Sequence, residues 1–250
     1  MNGHALLEAR EVTVRFGGLV AVDGVSAALA HGELVGIIGP NGAGKTTFFN
    51  ALSGVQMPTS GELFAGGVRL TGARPHRYAQ RGIARTFQTP RVFAELSVTA
   101  NIDFGLQFAG RQREGSWLLK DTASILGVIG LAALGDRAAG AVTPSQQRLL
   151  EIGMALATRP QLLLLDEVAA GLTEHEVEAM AQLIRRLRDE LDLSVIWIEH
   201  AVTTLLRHVE RVIVLHQGRK IADGTPGEVI RNAEVVEAYL GDEMVEGEPA

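Results

Sequence analysis

Leu7 to Phe16 alternates in hydropathy, with Val12, Val14 and Phe16 set against Thr13 and Arg15, which predicts an edge strand. Gly17-Gly18 is a turn and Val20 to Leu29 resumes the alternation, so an antiparallel β piece opens the chain. Leu34-Val35-Gly36-Ile37-Ile38 is apolar throughout and predicts a buried strand, and Phe48 to Leu52 the first turns of a helix. Ser53-Gly54 and Met57 to Gly61 form a turn-rich loop. Gly61 to Phe64 and Val68 to Leu70, joined by Gly66-Gly67, read as a short hairpin. Ile83 to Gln88 reads as a strand ending at Gln88, with Pro90 as a breaker just beyond it.

From Asn101 to Leu134 the spacing turns helical, through Ile102, Leu106, Ile125, Ile129, Leu131 and Leu134, with Arg111 to Ser116 as a polar break. Thr143-Pro144-Ser145-Gln146 is a helix start: Thr143 caps, Pro144 fits the first helical position and Gln146 completes a capping box. This helix ends by Arg159-Pro160, and Gln161 to Leu165 reads as a central parallel strand. Glu174 to Leu191 is amphipathic, with Val177, Met180, Leu183, Ile184 and Leu187 on one face. Ser194 to Ile198 is another buried strand, Arg211 to Leu215 and Arg219 to Ala222 a hairpin, Val229 to Leu240 a helix, and Gly241 to Ala250 an acidic tail. The pattern as a whole is α/β: a parallel core sheet, an N-terminal antiparallel β subdomain, and an inserted helical subdomain over residues 95–160 of one domain spanning 1–250.

At 250 residues and 46% apolar content the chain can bury a substantial core. A net charge of −6 argues against a general nucleic-acid binder, which needs a basic face. The absence of cysteine excludes disulfides, zinc-thiolate sites and thiol catalysis. The most apolar run, Ile125 to Leu134, is about half the ~20 residues a membrane span requires. Met1 to His4 lacks the basic-then-apolar pattern of a secretion signal. A protein soluble on its own is expected, reaching a membrane only by docking on another chain.

The chemistry gathers between the first buried strand and its helix. Gly39-Pro40-Asn41-Gly42-Ala43-Gly44-Lys45-Thr46-Thr47 has the strand, glycine-rich loop, helix context of a phosphate-binding loop. Its glycines let backbone N–H groups face phosphate oxygens, and the helix adds the positive end of its dipole. Lys45 would reach the β/γ-phosphates and Thr46 would complete a Mg²⁺ shell. Asp166 ends a strongly apolar strand, where a carboxylate can hold Mg²⁺, and Glu167 comes next as the candidate to orient or deprotonate water. His200 and Gln88 end two further predicted strands; the first could contact a γ-phosphate, the second Mg²⁺ or water. Phe16 could stack on a base or simply be a half-buried strand residue.

Taken together, these motifs show that the chain resembles the ATP-binding subunits of ABC transporters over nearly its whole length. Gly39 to Thr47 matches the Walker A motif and Leu162 to Glu167 the Walker B motif with its catalytic glutamate. Gln88 falls at the Q-loop, His200 at the switch histidine and Phe16 at the base-stacking aromatic. Arg15 to Leu19, Arg85 to Gln88, Ala169 to Leu172, Glu199-His200, Asp223 to Pro226 and Ala238 to Gly241 make it most similar to the ATPases of branched-chain amino acid importers. Importers of urea or other amides share much of this. The resemblance implies two ATPase subunits closing head to tail around two ATPs on the cytoplasmic face of the membrane. Their membrane permease subunits would dock at the Q-loop and helical subdomain and be fed by a solute-binding protein.

One motif departs from the family. The signature, usually Leu-Ser-Gly-Gly-Gln, falls on Val142-Thr143-Pro144-Ser145-Gln146. Thr143, Ser145 and Gln146 could still touch a nucleotide, but Pro144 has no N–H and Ser145 adds a Cβ. Losing one such donor costs on the order of 10²–10³ in rate. Val168, Thr173 and Ala201 are lesser departures. Each signature completes the partner's ATP site, so an asymmetric heterodimer is expected, with its competent site on this chain's Walker face. The chain alone should bind Mg-ATP but turn it over poorly. The alternatives are a weakened nucleotide-sensing subunit, an exporter subunit, or an ABC-type ATPase acting outside transport. Intact Glu167 and His200 speak against a pure scaffold, and the compact single domain against a ribosome- or DNA-acting ATPase.

Overall fold

The computed structural model describes residues 5–107, 118–199 and 202–246. His200, Ala201 and the Arg111–Ser116 break therefore lie outside the described residues. Two sheets organise the rest. The first is antiparallel, in the order β2-β1-β4-β5, from β1 (Leu7–Phe16), β2 (Leu19–Leu29), β4 (Ser60–Ala65) and β5 (Val68–Arg69). The second has the order β10-β9-β3-β8-β7-β6. It comprises β3 (Leu34–Ile38), β6 (Ile83–Arg85), β7 (Leu162–Asp166), β8 (Ser194–Ile198), β9 (Arg211–His216) and β10 (Arg219–Gly224). All its pairings are parallel except that of β9 with β10. Strands β3, β7 and β8 are buried along their full length, as their unbroken apolar runs require.

The helices are α1 (Lys45–Leu52), α2 (Pro75–Gln80), α3 (Val98–Gln107), α4 (Thr122–Val128), α5 (Pro144–Ala157), α6 (Glu174–Leu191), α7 (Val202–His208), α8 (Pro226–Val229) and α9 (Ala233–Glu246). Residues of α3, α4 and α5, among them Val98, Ile102, Ile125 and Leu150, share one contiguous core with Leu163, Leu165 and Trp197 of the parallel sheet. A second core lies between the two sheets around Phe48, Phe49, Leu63 and Ile196. The phosphate-loop helix is thus wedged between both sheets, which holds the loop before it.

Four expectations change. The strand that was to end at Gln88 stops at Arg85, because beyond Thr86 the backbone leaves β7 and its N–H groups turn to a side chain instead. The helical block starts earlier, at Val98, and α4 ends at Val128; Leu131 and Leu134 are buried or half-buried in a turn and a short 3₁₀ segment. The predicted helix from Val229 to Leu240 is instead the end of α8, which opens earlier on a Thr225–Glu228 capping box, and a separate α9, near whose start Glu234 N donates to Asn232 Oδ1. Finally, α9 continues through Glu246, well into the segment expected to be a tail.

Candidate functional site

The loop between β3 and α1 is built on glycine where nothing else fits. Gly44 is the N-cap of α1 at φ +93, and a Cβ there would lie 2.3 Å from the Ala21 carbonyl oxygen of β2. Gly39, at φ +151, would meet Leu215 O at 2.0 Å. No side chain caps α1, and the positive end of a helix dipole favours an anion there. Lys45 is buried and its Nζ donates to the carbonyls of Gly39 (2.6 Å) and Pro40 (2.8 Å).

Asn41 to Thr47 line a cavity of about 550 Å³ together with Phe16, Leu19, Val20, Ala21 and Gln217. That volume suits a nucleotide-sized ligand. Phe16, at the end of β1, is 49% exposed on its wall, available for stacking. Gln217, in the turn between β9 and β10, is a lining residue that sequence reasoning missed. No motif marks it; it arrives because Gly218 N donates to Ala43 O, pinning that turn to the phosphate loop.

At the carboxyl ends of β6 and β7 lies a second cluster. Asp166 and Glu167 are both buried. Gln88 Nε2 donates to Glu167 Oε2 at 2.7 Å, so two of the predicted residues meet directly. Glu167 sits at φ +49, a left-handed conformation that costs a non-glycine residue on the order of 1–3 kcal/mol and concentrates at functional sites. Its N–H donates to Ile198 O, and Arg148 of α5 donates to the carbonyls of Glu167 (2.9 Å) and Ala170 (2.8 Å). Arg148 is a further residue missed in the sequence, although its place one turn into α5 was visible.

Glu151, one turn beyond Arg148, accepts from the backbone N–H groups of Phe87 (3.2 Å) and Arg91 (2.9 Å), bracketing Gln88. Burial pushes its carboxyl up to about 7, against the pull of those N–H groups and of Arg148 and Arg85. Glu199 is similarly raised by burial, while accepting from Ala169 N and Trp197 Nε1. The folded Glu151 binds a proton more tightly than the unfolded one, so its contribution to stability is present below about pH 4.5 and is lost as pH rises through about 7. Replacing Glu151 by Gln should remove that slope. At pH 8 the variant is expected to gain about 1–3 kcal/mol relative to its standing at pH 5, read from denaturant melts at both pH values.

The donors offered to a metal are Thr46, Asp166 and Gln88: a hydroxyl, a carboxylate and an amide. These are hard oxygen ligands of the kind Mg²⁺ takes, usually with only one or two carboxylates beside substrate phosphates. Among the described residues no group of three or more His, Cys, Asp or Glu could hold a metal ion.

Thr143, Ser145 and Gln146 lie elsewhere, and none lines the cavity around Lys45. They open α5 with the predicted capping box: Gln146 N donates to Thr143 Oγ1 (3.3 Å) and Thr143 N to Gln146 Oε1 (3.0 Å). Pro144 occupies the first turn. The Ser145 hydroxyl stands 3.0 Å from that of Thr143, and it also contacts Glu176. The Glu176 carboxylate is held below its usual range by Thr173 N–H first, then by the Thr173 and Ser145 hydroxyls. A carboxylate beside this segment adds charge of the wrong sign for a phosphate.

Comparison with known proteins points to one family. The family model "ABC transporter" matches residues 22–170, and "Branched-chain amino acid ATP-binding cassette transporter" matches 219–245. The high-affinity branched-chain amino acid transport ATP-binding protein BraF of Pseudomonas aeruginosa is 38% identical, over 95% of this chain and 98% of that one. The corresponding protein LivG of Escherichia coli K12 shows the same identity and coverage. The crystal structure of the ADP conformation of an ATP-binding cassette of an ABC transporter superposes with a TM-score of 0.83 at 30% identity, covering 95% of this chain and 99% of that one.

Proposed function

The chain belongs to the ABC transporter ATP-binding family, and we propose that it powers the import of branched-chain amino acids or related amino acids or amides. It is an ATPase subunit of that family. The observations that carry the site assignment are the Gln88–Glu167 contact at the end of β7 and a phosphate loop whose cavity Phe16 also lines. In this reading Phe16 stacks on the adenine, the loop N–H groups and Lys45 bind the phosphates, and Thr46 and Asp166 hold Mg²⁺. Mg²⁺, when bound, supplies positive charge against the β- and γ-phosphate oxygens. Glu167 accepts the proton of the attacking water, and Gln88 fixes the carboxylate's orientation. His200 remains the candidate for the γ-phosphate, on its place after β8.

Among the described residues no helix is long and apolar enough to cross a membrane; in this reading the subunit sits peripherally on the cytoplasmic face, docked on its permease. Permease subunits would dock beside the Q-loop, in the groove bordered by Phe87, Arg91 and Met154. The altered segment at Thr143 to Gln146 supports pairing with a second, different ATPase subunit that completes the site on Lys45. Sedimentation of the Glu167→Gln variant with ATP tests this. The chain alone is expected to stay monomeric, and to form a two-chain complex only with a partner bearing two glycines in its signature. ATP-driven dimers of the chain alone would refute the pairing.

A further inference from the structure

Arg85 carries no chemistry in the proposed ATPase cycle, yet it is the most heavily engaged side chain near the metal carboxylate. It ends β6, which pairs with β7 in register Arg85 to Leu164, and the next residue, Thr86, accepts from Asp166 N (3.2 Å). This brings the guanidinium to the end of β7. There Nη2 donates to Asp166 Oδ2 at 3.1 Å, with side-chain exposures of only 10% and 4%. Nη1 donates to Asn50 Oδ1 (2.8 Å) and Ser53 Oγ (2.8 Å), both at the far end of α1. Nε donates to Thr86 O (3.2 Å). The guanidinium carbon lies over two rings, 5.2 Å from the centroid of Phe49 and 4.6 Å from that of Phe87.

Every part of this arrangement needs a guanidinium. Only a planar fork can give one edge to a carboxylate and the other to two oxygens on a helix while lying against aromatic faces; a lysine ammonium offers a single point. The helix it grips is the one whose first turn carries Lys45 and Thr46. The carboxylate it grips is the candidate metal ligand. Arg85 also lines the groove of about 400 Å³ between α2 and α5, with Phe87, Arg91 and Glu151.

We propose that Arg85 is a positioning residue for the metal: it locks the Asp166 carboxylate to the phosphate-loop helix, so that Asp166 and Thr46 present their oxygens in one fixed geometry. The inference rests on the assignment of Asp166 and Thr46 to Mg²⁺. Partners that hydrogen-bond a metal ligand typically set metal affinity by 10–100-fold.

The test measures binding, not turnover. Association of the non-hydrolysable imido analogue of ATP is titrated with Mg²⁺, and separately in EDTA, for wild type, Arg85→Gln, Arg85→Lys and Asn50→Ala; Mn²⁺ binding is followed by electron paramagnetic resonance. Arg85→Gln is expected to need about 10–100-fold more Mg²⁺ for half-maximal effect. Arg85→Lys falls between it and wild type. Binding in EDTA stays as in wild type for all three variants. Asn50→Ala removes one anchor without touching Asp166, so it moves the midpoint the same way by less, and it decides the matter should Arg85→Gln fail to fold. A wild-type or lower Mg²⁺ midpoint in the variants, or a parallel loss of binding in EDTA, overturns the proposal. If wild type itself shows no dependence on Mg²⁺, it is the metal assignment that fails.

Discussion

Replacing Glu167 by glutamine is expected to lower ATP turnover about 10²–10⁴-fold, the usual worth of a positioned general base, while ATP binding persists. The geometry favours so clean a separation. The Gln88 amide that donates to Glu167 Oε2 can donate equally to the amide oxygen of glutamine, so the side chain keeps its place and loses only its basicity. The backbone at φ +49 and the grip of Arg148 on the Glu167 carbonyl do not involve the side chain at all. Phosphate release and nucleotide binding isotherms on the same preparation, with the partner subunit present, check both halves. Turnover within about tenfold of wild type would remove Glu167 from the base role, since a tenfold loss is only ~1.4 kcal/mol of barrier.

The second large effect runs the other way. Pro144→Gly with Ser145→Gly returns the backbone N–H that proline lacks and removes the Cβ beside it. With two glycines restored the chain can complete its own site without a partner subunit, and turnover is expected to rise about 10²–10³-fold. Stability should fall at the same time. Pro144 is preset for the first turn of α5, and glycine in a first turn surrenders that advantage at about 1 kcal/mol per residue. A rise in rate together with a fall in melting temperature is the signature of donor restoration; a better-packed fold would raise both. Turnover measured against protein concentration should rise more steeply than linearly, because the active form contains two chains. An unchanged rate in the double variant would show that the segment is not what limits hydrolysis. The contact of Glu176 with Ser145 ends with the same substitution, but its carboxylate stays nearby.

Legibility in the sequence tracked the range of the forces involved. Strong periodic signals settled the parallel strands and α6, whose bounds at Glu174 and Leu191 were read directly. The capping box of α5 was equally visible, since it involves only residues three apart. Ends decided by neighbours were misread. The strand before Gln88 stops early because Glu151, over sixty positions away, takes the N–H of Phe87. Helix α7 went unpredicted; its Leu205 packs on Gly36 of β3 so closely that a Cβ there would meet it at 2.2 Å. That glycine lies about 170 positions away in the chain.

The same division holds at the site. By itself the sequence named the residues proposed to carry the chemistry: the phosphate loop around Lys45, the acidic pair Asp166 and Glu167, and the altered segment at Pro144. Residue type and local spacing are enough for that, because a glycine-rich turn, a strand end and a missing N–H are local properties. Only the tertiary structure decided how those groups are held. Arg85 on Asp166, Gln88 on Glu167, Arg148 and Glu151 on the loops around them, and Gln217 on the cavity wall are all contacts between distant elements. Their geometry comes from strand order in the parallel sheet, which sets β6 against β7 and places the ends of both beside α1. Strand order is fixed by burial of the whole core, a property no local stretch of sequence contains.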